Sequence, residues 1–288
     1  MMSAVIIDGK ATSAKLRGEV YDKVKKLGEM GIKAGLAVVI VGDDPASRTY
    51  VNNKKKACAE CGIYSEEYAL PAETTEEELL ALIDKLNVKE DINGILVQLP
   101  VPKHISEDKI INAILPEKDV DAFHPQNVGK IMTGDFDFLP CTPAGVMALF
   151  EEYGIDVAGK RAAVIGRSNI VGKPQSMLLL HKNATVTICH SRTQDLAKIL
   201  RESDIIVAAV GRAGFVTGDM VSEGCVVMDV GINRNAEGKL CGDVDFASVS
   251  EKASYITPVP GGVGPMTITM LMKNTLKAAC IQNNINLD

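Results

Sequence analysis

The sequence predicts an α/β protein with two domains, each built on a parallel β-sheet. Short, almost continuous apolar runs alternate with helical patterns along both halves of the chain, as expected of parallel strands covered by helices on both faces. Between about Pro116 and Pro143 this alternation stops in a segment rich in Asp, Gly and Pro. The length of 288 residues is sufficient for two domains.

The first half contains four predicted strands and three predicted helices. A helix from about Ser47 to Cys61 is closed by Gly62, and Thr74 with Glu77 forms a capping-box pattern at the start of "TTEEELLALIDKL". The remaining elements are the apolar runs "AVII" at 4–7, "GLAVVIVG" at 35–42, a run near 63–70 and "INGILVQLP", with a charged helix from about Ser13 to Met30.

The second half predicts another α/β unit. A helix from about Ala144 to Tyr153 precedes five apolar runs, in "GKRAAVIG", "ATVTICHS", "DIIVAAVG", "GCVVMDVGI" and "SYITPVP", and a last helix covers about 267–281. A helix that follows the last strand of one domain can pack back on the other domain. We therefore assign residues 1–140, completed by 267–288, to the first domain and 141–266 to the second.

Composition and charge exclude several classes of protein. Hydrophobic residues make up 46% and charged residues 24%, and the net charge of −6 is spread along the chain, so we expect neither a nucleic-acid nor a membrane partner. The start of the chain lacks a secretory signal, which predicts a cytoplasmic location. The histidines show no metal-ligand spacing, and the Cys58-x-x-Cys61 pattern lies within a predicted helix, so we expect a buried structural pair and no metal.

The segment "AAVIGRSNIVGKP" predicts a strand, a turn and a helix. The strand ends at Gly166, the turn contains Arg167 and Ser168, and the helix begins near Gly172. Backbone N–H groups at such a helix start bind phosphate, so the second domain is expected to be Rossmann-like. However, serine replaces the second glycine of the G-x-G-x-x-G fingerprint and the last glycine comes one residue late. An ordinary strand–turn–helix junction is the alternative.

The end of the following strand favours NADP over NAD. NAD-binding domains usually carry a carboxylate there, about 20 residues beyond the glycines, which binds the ribose 2′-hydroxyl. Here "ATVTICHSRT" ends in His190, Ser191, Arg192 and Thr193 instead. Ser191 and Arg192, together with Arg167, can neutralise and hydrogen-bond a 2′-phosphate.

Four polar residues of the first domain lie where a ligand is expected. Tyr50 and Lys54 are four residues apart on a predicted helix and share one face, and a lysine on a half-apolar face can transfer protons. Gln98 ends an apolar strand, and Asp121 lies in the passage between the domains. A solvated lysine, a strand-end hydrogen bond and a turn aspartate are the alternative explanations.

The uncharged loop "ITPVPGGVGPMT" precedes the last helix. Six of the eight residues from Pro258 to Pro265 are Gly or Pro, so the backbone there can approach another group closely. From composition alone, the loop is either a connector or one wall of a binding site.

Seven motifs, taken together and in order, resemble a known family. They are "YVNNKKKACAECGI", "GILVQLPVP", "PEKDVDAFHP", "PCTPAGV", "GRSNIVGKP", "ATVTICHSRT" and "PVPGGVGPMT". From about residue 3 to residue 280 the chain is similar to the bifunctional methylenetetrahydrofolate dehydrogenase/methenyltetrahydrofolate cyclohydrolase family. The resemblance implies an active-site cleft between two α/β domains. It also implies NADP-dependent oxidation of 5,10-methylenetetrahydrofolate, followed by hydrolysis of the methenyl product to 10-formyltetrahydrofolate.

The resemblance also implies roles for individual residues. Lys54 matches the catalytic lysine that assists proton transfer, and Gln98 the glutamine that hydrogen-bonds to that lysine. Tyr50 matches the tyrosine that stacks on the folate, and Asp121 the aspartate that holds the pterin ring. The matching positions that contact folate further include Val97, Leu99, Pro260, Gly261 and Gly262, and those that contact the dinucleotide are Gly166, Arg167, Ser168, Ser191, Arg192 and Ile232.

Other implications concern assembly and pathway. The family is usually a homodimer paired through the second domain, and it serves one-carbon metabolism, including purine, methionine and histidine biosynthesis. One departure is Ala122, which stands where the family usually has glycine and is strained if that position needs a positive φ angle.

Three rival functions remain at this point. One is another two-domain nicotinamide-dependent dehydrogenase that acts on a small acid, and another is a family member with one of the two activities. The third is a non-catalytic dinucleotide-binding regulator, which leaves Tyr50, Lys54 and Gln98 without a purpose.

Overall fold

The computed structural model describes residues 4–287 and contains two compact units. The six-strand unit consists of the chain up to Ala14 together with Pro140–Thr267, and the three-strand unit consists of Lys15–Leu139 and the chain from Ile268 onward. Each unit has its own parallel sheet and its own hydrophobic core. The predicted fold class, with two parallel-sheet α/β domains, is thereby confirmed.

Strands and helices alternate along most of the described chain. The strands are β1 (Val5–Ile6), β2 (Gly35–Val41), β3 (Tyr64–Leu70), β4 (Gly94–Val97), β5 (Arg161–Ile165), β6 (Thr185–Cys189), β7 (Ile205–Ala208), β8 (Val226–Asp229), β9 (Asn233–Arg234), β10 (Leu240–Cys241) and β11 (Tyr255–Ile256). The helices are α1 (Gly9–Glu29), α2 (Pro45–Cys61), α3 (Glu76–Asn87), α4 (Glu107–Ala113), α5 (Pro125–Thr133), α6 (Cys141–Glu152), α7 (Gly172–His181), α8 (Leu196–Arg201), α9 (Phe246–Ser250) and α10 (Val263–Gln282).

The sheet of the six-strand unit has the order β1-β11-β8-β7-β5-β6, and all neighbouring strands in it are parallel. Strands β7 and β8 are buried along their whole length, as a sheet covered on both faces requires. The chain passes from β5 to β6 and then returns to the other side of β5 to form β7. Doubly wound sheets bind ligands at such a reversal, outside the carboxyl ends of the strands.

The sheet of the three-strand unit has the order β3-β2-β4 and is also parallel. Strands β2 and β4 are fully buried, whereas β3 at the edge is half-exposed. Asp44 is the N-cap residue of helix α2, and its carboxylate accepts a 2.7 Å hydrogen bond from the Ser47 N–H. The helix ends at Gly62, which adopts the left-handed conformation with φ of 71°. Because α2 follows β2, its first turns lie near the carboxyl end of the sheet.

The first strand was assigned to the wrong sheet. The sequence analysis placed residues 4–7 in the first domain, but β1 pairs with β11 in the six-strand unit, with Val5 opposite Tyr255. A strand of two residues carries no local signal that identifies its partner, because the partner lies at the other end of the chain.

Some helix boundaries also differ from the prediction. Thr75, not Thr74, caps α3, because the Thr75 hydroxyl accepts from the Glu78 N–H while the Glu78 carboxylate accepts from the Thr75 N–H. The run "TTEEE" permits both registers. Helices α4 and α5 were missed, and α6 begins at Cys141 rather than near Ala144. Helix α10 begins at Val263, so part of the predicted loop is its first turn.

Among residues 4–287, no helix has the length and apolar character needed to cross a membrane.

Candidate active site

Helix α2 carries Tyr50 and Lys54 on one face. Val51, Ala57 and Cys58 of the same helix are buried in the core of the unit, whereas Tyr50 is 38% exposed and Lys54 is half-buried. Partial burial raises the pKa of the Tyr50 phenol, so the ring is neutral at ordinary pH. A neutral, partly exposed aromatic ring is suited to stacking on a flat ligand.

Gln98 follows β4 and contacts Lys54 directly. Lys54 Nζ donates a hydrogen bond of 2.9 Å to Gln98 Oε1. Gln98 Nε2 donates to the Leu99 carbonyl over 2.7 Å, and the Gln98 N–H donates to the Val39 carbonyl of β2. Since the amide nitrogen is bound to a carbonyl, the amide oxygen is directed at the ammonium group. The structure therefore brings together two residues that the sequence linked only by resemblance.

The next lysine along the chain has a different environment. Lys55 Nζ lies 2.6 Å from Glu67 Oε2, and Arg48 Nη1 lies 2.7 Å from Glu67 Oε1. The hydrogen bond from Lys55 is the main reason why the pKa of Glu67 is lowered. Lys56 is exposed. Of the three consecutive lysines, only Lys54 thus contacts a predicted site residue.

Asp121 lines a small pocket together with Val97 and Leu99, two residues expected to contact folate. Four isoleucines and an aromatic ring supply most of the other walls, namely Ile95, Ile110, Ile111, Ile114 and Phe123. The pocket, which Asp119 also lines, has room for about one water molecule, so it places Asp121 beside Val97 and Leu99 without itself accommodating a ligand ring. Gln98 lies between Val97 and Leu99 in the chain but does not line this pocket.

The turn that carries Asp121 is anchored by two polar residues. The Asp119 carboxylate accepts from the His124 N–H (2.8 Å) and from Asn127 Nδ2 (2.9 Å). Asn274 of α10 donates to the Val120 carbonyl over 2.8 Å. Neither anchor was predicted from the sequence. Asp119 could have been recognised as the first acid of the D-V-D motif. Asn274 lies 154 residues from Val120, so no local sequence signal connects the two.

Ala122 has the positive φ angle that its place in the family motif suggested. Its φ is 57° and its side chain is fully buried. The left-handed conformation costs a non-glycine residue roughly 1–2 kcal/mol. The polypeptide accepts this strain directly beside Asp121, where the hydrogen bonds of Asp119 hold the turn.

Two glycines close the turn that follows β5. A Cβ at Gly166, whose φ is 134°, would lie 2.3 Å from the Ala209 carbonyl oxygen. A Cβ at Gly172 would lie 2.2 Å from the Gly166 carbonyl oxygen. Real side chains do not approach backbone this closely, so only glycine allows the segments after β5 and β7 to meet at the reversal of strand order.

The first N–H groups of α7 are not directed at a ligand, contrary to the prediction. The Ser168 hydroxyl oxygen accepts hydrogen bonds from the N–H groups of Val171 (3.1 Å) and Gly172 (3.3 Å). The backbone carbonyl of Ser168 accepts a hydrogen bond from the Lys173 N–H (3.1 Å). The serine that replaces the second fingerprint glycine therefore caps the helix itself. The N–H groups of Val171, Gly172 and Lys173 are therefore bonded within the turn, and Arg167 is an exposed cation of the same turn.

A second turn, after β6, presents Ser191 and Arg192. The Gly166 N–H donates to the Cys189 carbonyl over 2.9 Å, which joins this strand end to the glycine turn. His190 shapes the second turn, because its N–H donates to Thr193 Oγ1 and its Nδ1 accepts from the Arg192 N–H. The side chains of Arg192 and of Arg167, in the turn after β5, are both exposed. No carboxylate within residues 4–287 forms an ion pair with either of them.

The loop before α10 is packed against the start of α1. The Lys10 N–H donates to the Gly261 carbonyl over 3.1 Å, and the Gly262 N–H donates to the Pro258 carbonyl over 2.9 Å. Gly262 is buried, and a Cβ there would lie 2.6 Å from the Pro258 carbonyl oxygen. Substitution of Gly262 should therefore reduce stability. Pro260 is the exposed residue of this loop.

Strand β8 ends in a buried carboxyl group and leads to the exposed Ile232. Asp229 is 3% exposed, and its Oδ1 accepts from the N–H groups of Gly231 (3.0 Å) and Asp243 (2.9 Å). Burial raises the pKa of Asp229 to about 7, and repulsion from the Asp243 carboxylate adds to this effect, while the backbone donors oppose it. Ile232 is 49% exposed.

We expect Asp229→Asn to change how stability depends on pH. A carboxyl group whose pKa is raised by folding, from its ordinary value of about 3.9, reduces stability as pH rises from about 4 to about 7. Asparagine does not ionise, so the free energy of unfolding of the variant, relative to that of the wild type, should be higher at pH 8 than at pH 5. Urea unfolding midpoints of both proteins at the two pH values measure this, and identical shifts would contradict the assignment.

Six of the seven cysteines are buried, and Cys241 is partly exposed. All seven are free thiols, and burial raises the pKa of Cys58 and of Cys61 to about 11. The C-x-x-C pair is buried inside α2, as predicted. Within the described part of the chain, no group of three or more His, Cys, Asp or Glu side chains is arranged to hold a metal ion.

Two family models match the two parts of the chain. The model described as "Tetrahydrofolate dehydrogenase/cyclohydrolase, catalytic domain" matches residues 7–121. The model described as "Tetrahydrofolate dehydrogenase/cyclohydrolase, NAD(P)-binding domain" matches residues 140–283. Lys54, Gln98 and Asp121 lie within the first match, and the turns at Gly166 and Arg192 lie within the second.

Relatives and solved structures match over nearly their full lengths. "Bifunctional protein FolD" of Acetivibrio thermocellus is 61% identical over 281 residues, which are 98% of this chain and 99% of the relative. A crystal structure of the bifunctional FolD methylenetetrahydrofolate dehydrogenase/cyclohydrolase from Campylobacter jejuni is 53% identical, with a TM-score of 0.95 over 98% of this chain and 100% of that one. The Trypanosoma brucei enzyme, complexed with NADP cofactor and inhibitor, is 41% identical, with a TM-score of 0.94 over 98% and 99%.

Proposed function

Because the chain belongs to the tetrahydrofolate dehydrogenase/cyclohydrolase family, we propose that it carries out both reactions of that family. It oxidises 5,10-methylenetetrahydrofolate to 5,10-methenyltetrahydrofolate with NADP⁺, and it hydrolyses the methenyl product to 10-formyltetrahydrofolate. The observation that carries the proposal is the 2.9 Å hydrogen bond between Lys54 and Gln98, which joins the two residues that match the family's catalytic lysine and the glutamine that binds it.

Proton transfer in the hydrolytic step is assigned to Lys54. Water adds to the methenyl carbon and loses a proton, the bond from that carbon to N5 breaks as N5 takes up a proton, and the hydroxyl on the carbon then loses its proton to become the formyl C=O, so that one proton is released to solvent overall. A lysine within reach can accept the first proton as an amine and donate the second as an ammonium group. Gln98 acts as a positioning residue, because its amide oxygen holds the lysine while its amide nitrogen is bound to the Leu99 carbonyl.

Folate binding is assigned to the surroundings of this pair. Tyr50 stacks on the folate from the exposed face of α2. Asp121 accepts hydrogen bonds from the N–H groups of the pterin, and Val97 and Leu99, which lie beside it, are the proposed apolar contacts of the ring. From the six-strand unit, the loop residues Pro260, Gly261 and Gly262 are proposed to contact folate through shape rather than charge.

The dinucleotide is assigned to the carboxyl edge of the six-strand sheet. When bound, NADP⁺ supplies the acceptor for the hydride that leaves the one-carbon bridge. Arg167 and Arg192 are exposed and have no acidic partner among residues 4–287, so both can bind its 2′-phosphate. The residues proposed to contact the dinucleotide are Gly166, Arg167, Ser168, Ser191, Arg192 and Ile232.

Arg192→Ala should weaken the preference for NADP⁺. Loss of a guanidinium that pairs with a phosphate is expected to raise the KM for NADP⁺ about tenfold and to leave the KM for NAD⁺ nearly unchanged. Dehydrogenase assays with each nucleotide measure the two constants. Arg201→Ala, at the exposed end of α8, is the matched control and should alter neither. Equal effects of Arg192→Ala on both nucleotides would contradict the role.

The hydrolytic half of the proposal has its own test. Purified protein is mixed with 5,10-methenyltetrahydrofolate in the absence of any nucleotide, and the loss of the methenyl absorbance is followed. Hydrolysis faster than in buffer supports the proposal. A rate equal to that in buffer, in a protein that reduces NADP⁺ with methylenetetrahydrofolate, leaves a dehydrogenase without the second activity.

Assembly, location and pathway are part of the same proposal. We infer a cytoplasmic homodimer that serves one-carbon metabolism and, through it, purine, methionine and histidine biosynthesis. Free thiols at all seven cysteines agree with a reducing compartment. The edge strand β6 exposes Thr187 and Ile188, and an exposed strand edge is suited to pairing with a second copy. Light scattering of the purified protein measures the oligomeric state, and a monomer at micromolar concentration would contradict it.

A further inference from the structure

Two buried aspartates connect three segments at the carboxyl edge of the six-strand sheet. Asp229 is the last residue of β8, and Asp243 follows the short hairpin of β9 and β10. Asp229 is 3% exposed and Asp243 is fully buried. Neither residue belongs to the set that the family motifs suggested, and a buried carboxylate persists in a fold only where several donors bind it.

Asp243 binds the segment that follows β7. Its Oδ2 accepts hydrogen bonds from the N–H groups of Val210 (2.5 Å) and Gly211 (3.0 Å), and its Oδ1 accepts from the N–H of Arg212 (2.8 Å). Asn233 Nδ2 donates to the same Oδ1 over 2.8 Å. Gly211 and Arg212 are exposed, so a buried side chain determines the path of a surface loop.

Asp229 holds Asp243 in place. Its Oδ1 accepts from the Asp243 N–H and its Oδ2 accepts from the Val244 N–H over 3.0 Å. Glycine is required at both points of contact. A Cβ at Gly231 would lie 2.3 Å from the Asp243 carboxylate, and one at Gly242 would lie 1.8 Å from Asp229 Oδ2. The sequence pattern is therefore D-V-G-I-N followed by G-D, in which each glycine makes room for the other segment's carboxylate.

The connected segments lie where the dinucleotide is proposed to bind. The loop 210–212 continues from Ala209, whose carbonyl oxygen would be 2.3 Å from a Cβ at Gly166. Ile232, a proposed dinucleotide contact, lies between Gly231 and Asn233, which Asp229 and Asp243 bind respectively. The two carboxylates thus connect the loops after β7 and β8 on one side of the reversal in strand order.

We propose that Asp243 is a positioning residue for the dinucleotide, and that it acts by fixing the loop 210–212 and, through Asn233, the segment that carries Ile232. This inference rests on the proposed function. A carboxylate is needed because both of its oxygens accept, whereas an asparagine would place an NH₂ group against backbone donors. Asp229 contributes by orienting Asp243 and does not contact the loop 210–212 through any described hydrogen bond.

The first test separates the two activities in Asp243→Asn. The KM for NADP⁺ should rise about tenfold or more and the dehydrogenase kcat should fall, because a misplaced cofactor is no longer aligned for hydride transfer. Hydrolysis of 5,10-methenyltetrahydrofolate, measured without nucleotide, should remain at the wild-type rate. General loss of structure would lower both activities together, so the separation identifies a positioning role.

Asp245→Asn is the matched control. Asp245 lies two residues away, accepts a hydrogen bond from the Ser248 hydroxyl at the start of α9, and makes no described hydrogen bond to the loop 210–212. The same chemical change at this position should leave the KM for NADP⁺ unaltered. An equal rise in both variants would overturn the inference.

Asn233→Ala decides the question if Asp243→Asn does not fold. This change removes one side-chain donor to Asp243 and leaves the three backbone donors of the loop 210–212 in place. NADP⁺ affinity, measured by fluorescence titration, should fall severalfold with hydrolysis unchanged. Wild-type affinity in folded Asn233→Ala, or parallel loss of both activities, overturns the inference. A wild-type protein that does not reduce NADP⁺ would instead overturn the proposed function.

Discussion

Lys54→Met is expected to abolish the hydrolysis of 5,10-methenyltetrahydrofolate while most of the oxidation step remains. Removing a positioned proton donor and acceptor should slow hydrolysis by at least about 100-fold. Hydride transfer between two bound ligands depends mainly on their alignment, so the oxidation rate should stay within about tenfold of the wild type. Methenyltetrahydrofolate should accumulate when the variant is given methylenetetrahydrofolate and NADP⁺, and its absorbance measures this directly.

Lys55→Met is the matched control for this prediction. It makes the same chemical change one residue further along α2, where the side chain forms an ion pair with Glu67 instead of contacting Gln98. A partly exposed ion pair contributes about 1 kcal/mol or less, so both activities should be retained. If Lys54→Met reduced oxidation and hydrolysis equally while NADP⁺ affinity was intact, the role assigned to Lys54 would be wrong.

Gly172→Ala should have the opposite effect and remove the dehydrogenase activity. The new Cβ would lie 2.2 Å from the Gly166 carbonyl oxygen and 2.8 Å from the Arg167 nitrogen, so the backbone of the turn has to move. We expect the dehydrogenase rate to fall at least about 100-fold through misplacement of Arg167 and Ser168. Overpacking should reduce the free energy of unfolding by about 1–3 kcal/mol. Hydrolysis without nucleotide should persist, because Lys54, Gln98 and Asp121 all lie in the three-strand unit.

Gly28→Ala tests whether a glycine-to-alanine change is harmful in general. Gly28 is exposed in α1, and no atom lies within 4 Å of a Cβ built there. This substitution should stabilise the helix by about 0.5–1 kcal/mol and leave both activities unchanged. Wild-type affinity for NADP⁺ in Gly172→Ala, measured by fluorescence titration, would contradict the role given to the glycine turn.

The fold class could be predicted from the sequence because parallel strands have a strong local signal. Buried runs such as "GLAVVIV" read as strands whatever their partners are, and the helices between them are amphipathic or capped. The pairing of the strands was harder to predict from the sequence. The two residues of β1 join a sheet whose other members begin at Arg161, and no local pattern identifies that partner. Helix α5 was missed because the passage that contains it is rich in Asp, Gly and Pro.

The site was predictable to a different degree in each part. Seven ordered motifs identified the family, which both family models confirm. Residue spacing alone could not distinguish Lys54 from Lys55, because only the folded sheet brings Gln98 to one and Glu67 to the other. The fingerprint rule also misled at Ser168, whose hydroxyl occupies the N–H groups expected to bind phosphate.

Long-range hydrogen bonds explain the residues that the sequence analysis missed. Asn274 and Asp243 bind backbone groups 154 and about 30 residues away, and such partners become visible only in three dimensions. Both are buried polar residues that hold the backbone of another segment, and neither belongs to a motif with an assigned chemical role. The structure therefore adds supporting residues around a site whose principal residues the family resemblance had already named.

The most direct measurement is a spectrophotometric assay of the purified protein with 5,10-methylenetetrahydrofolate and NADP⁺. The absorbance of NADPH should appear, no methenyl species should build up at neutral pH, and acidification should convert the product into an equal amount of methenyltetrahydrofolate. Together with hydrolysis of the methenyl species faster than in buffer, that result requires both oxidation and hydrolysis by one chain. Absence of NADPH formation, with the substrate recovered unchanged, would contradict the proposed function.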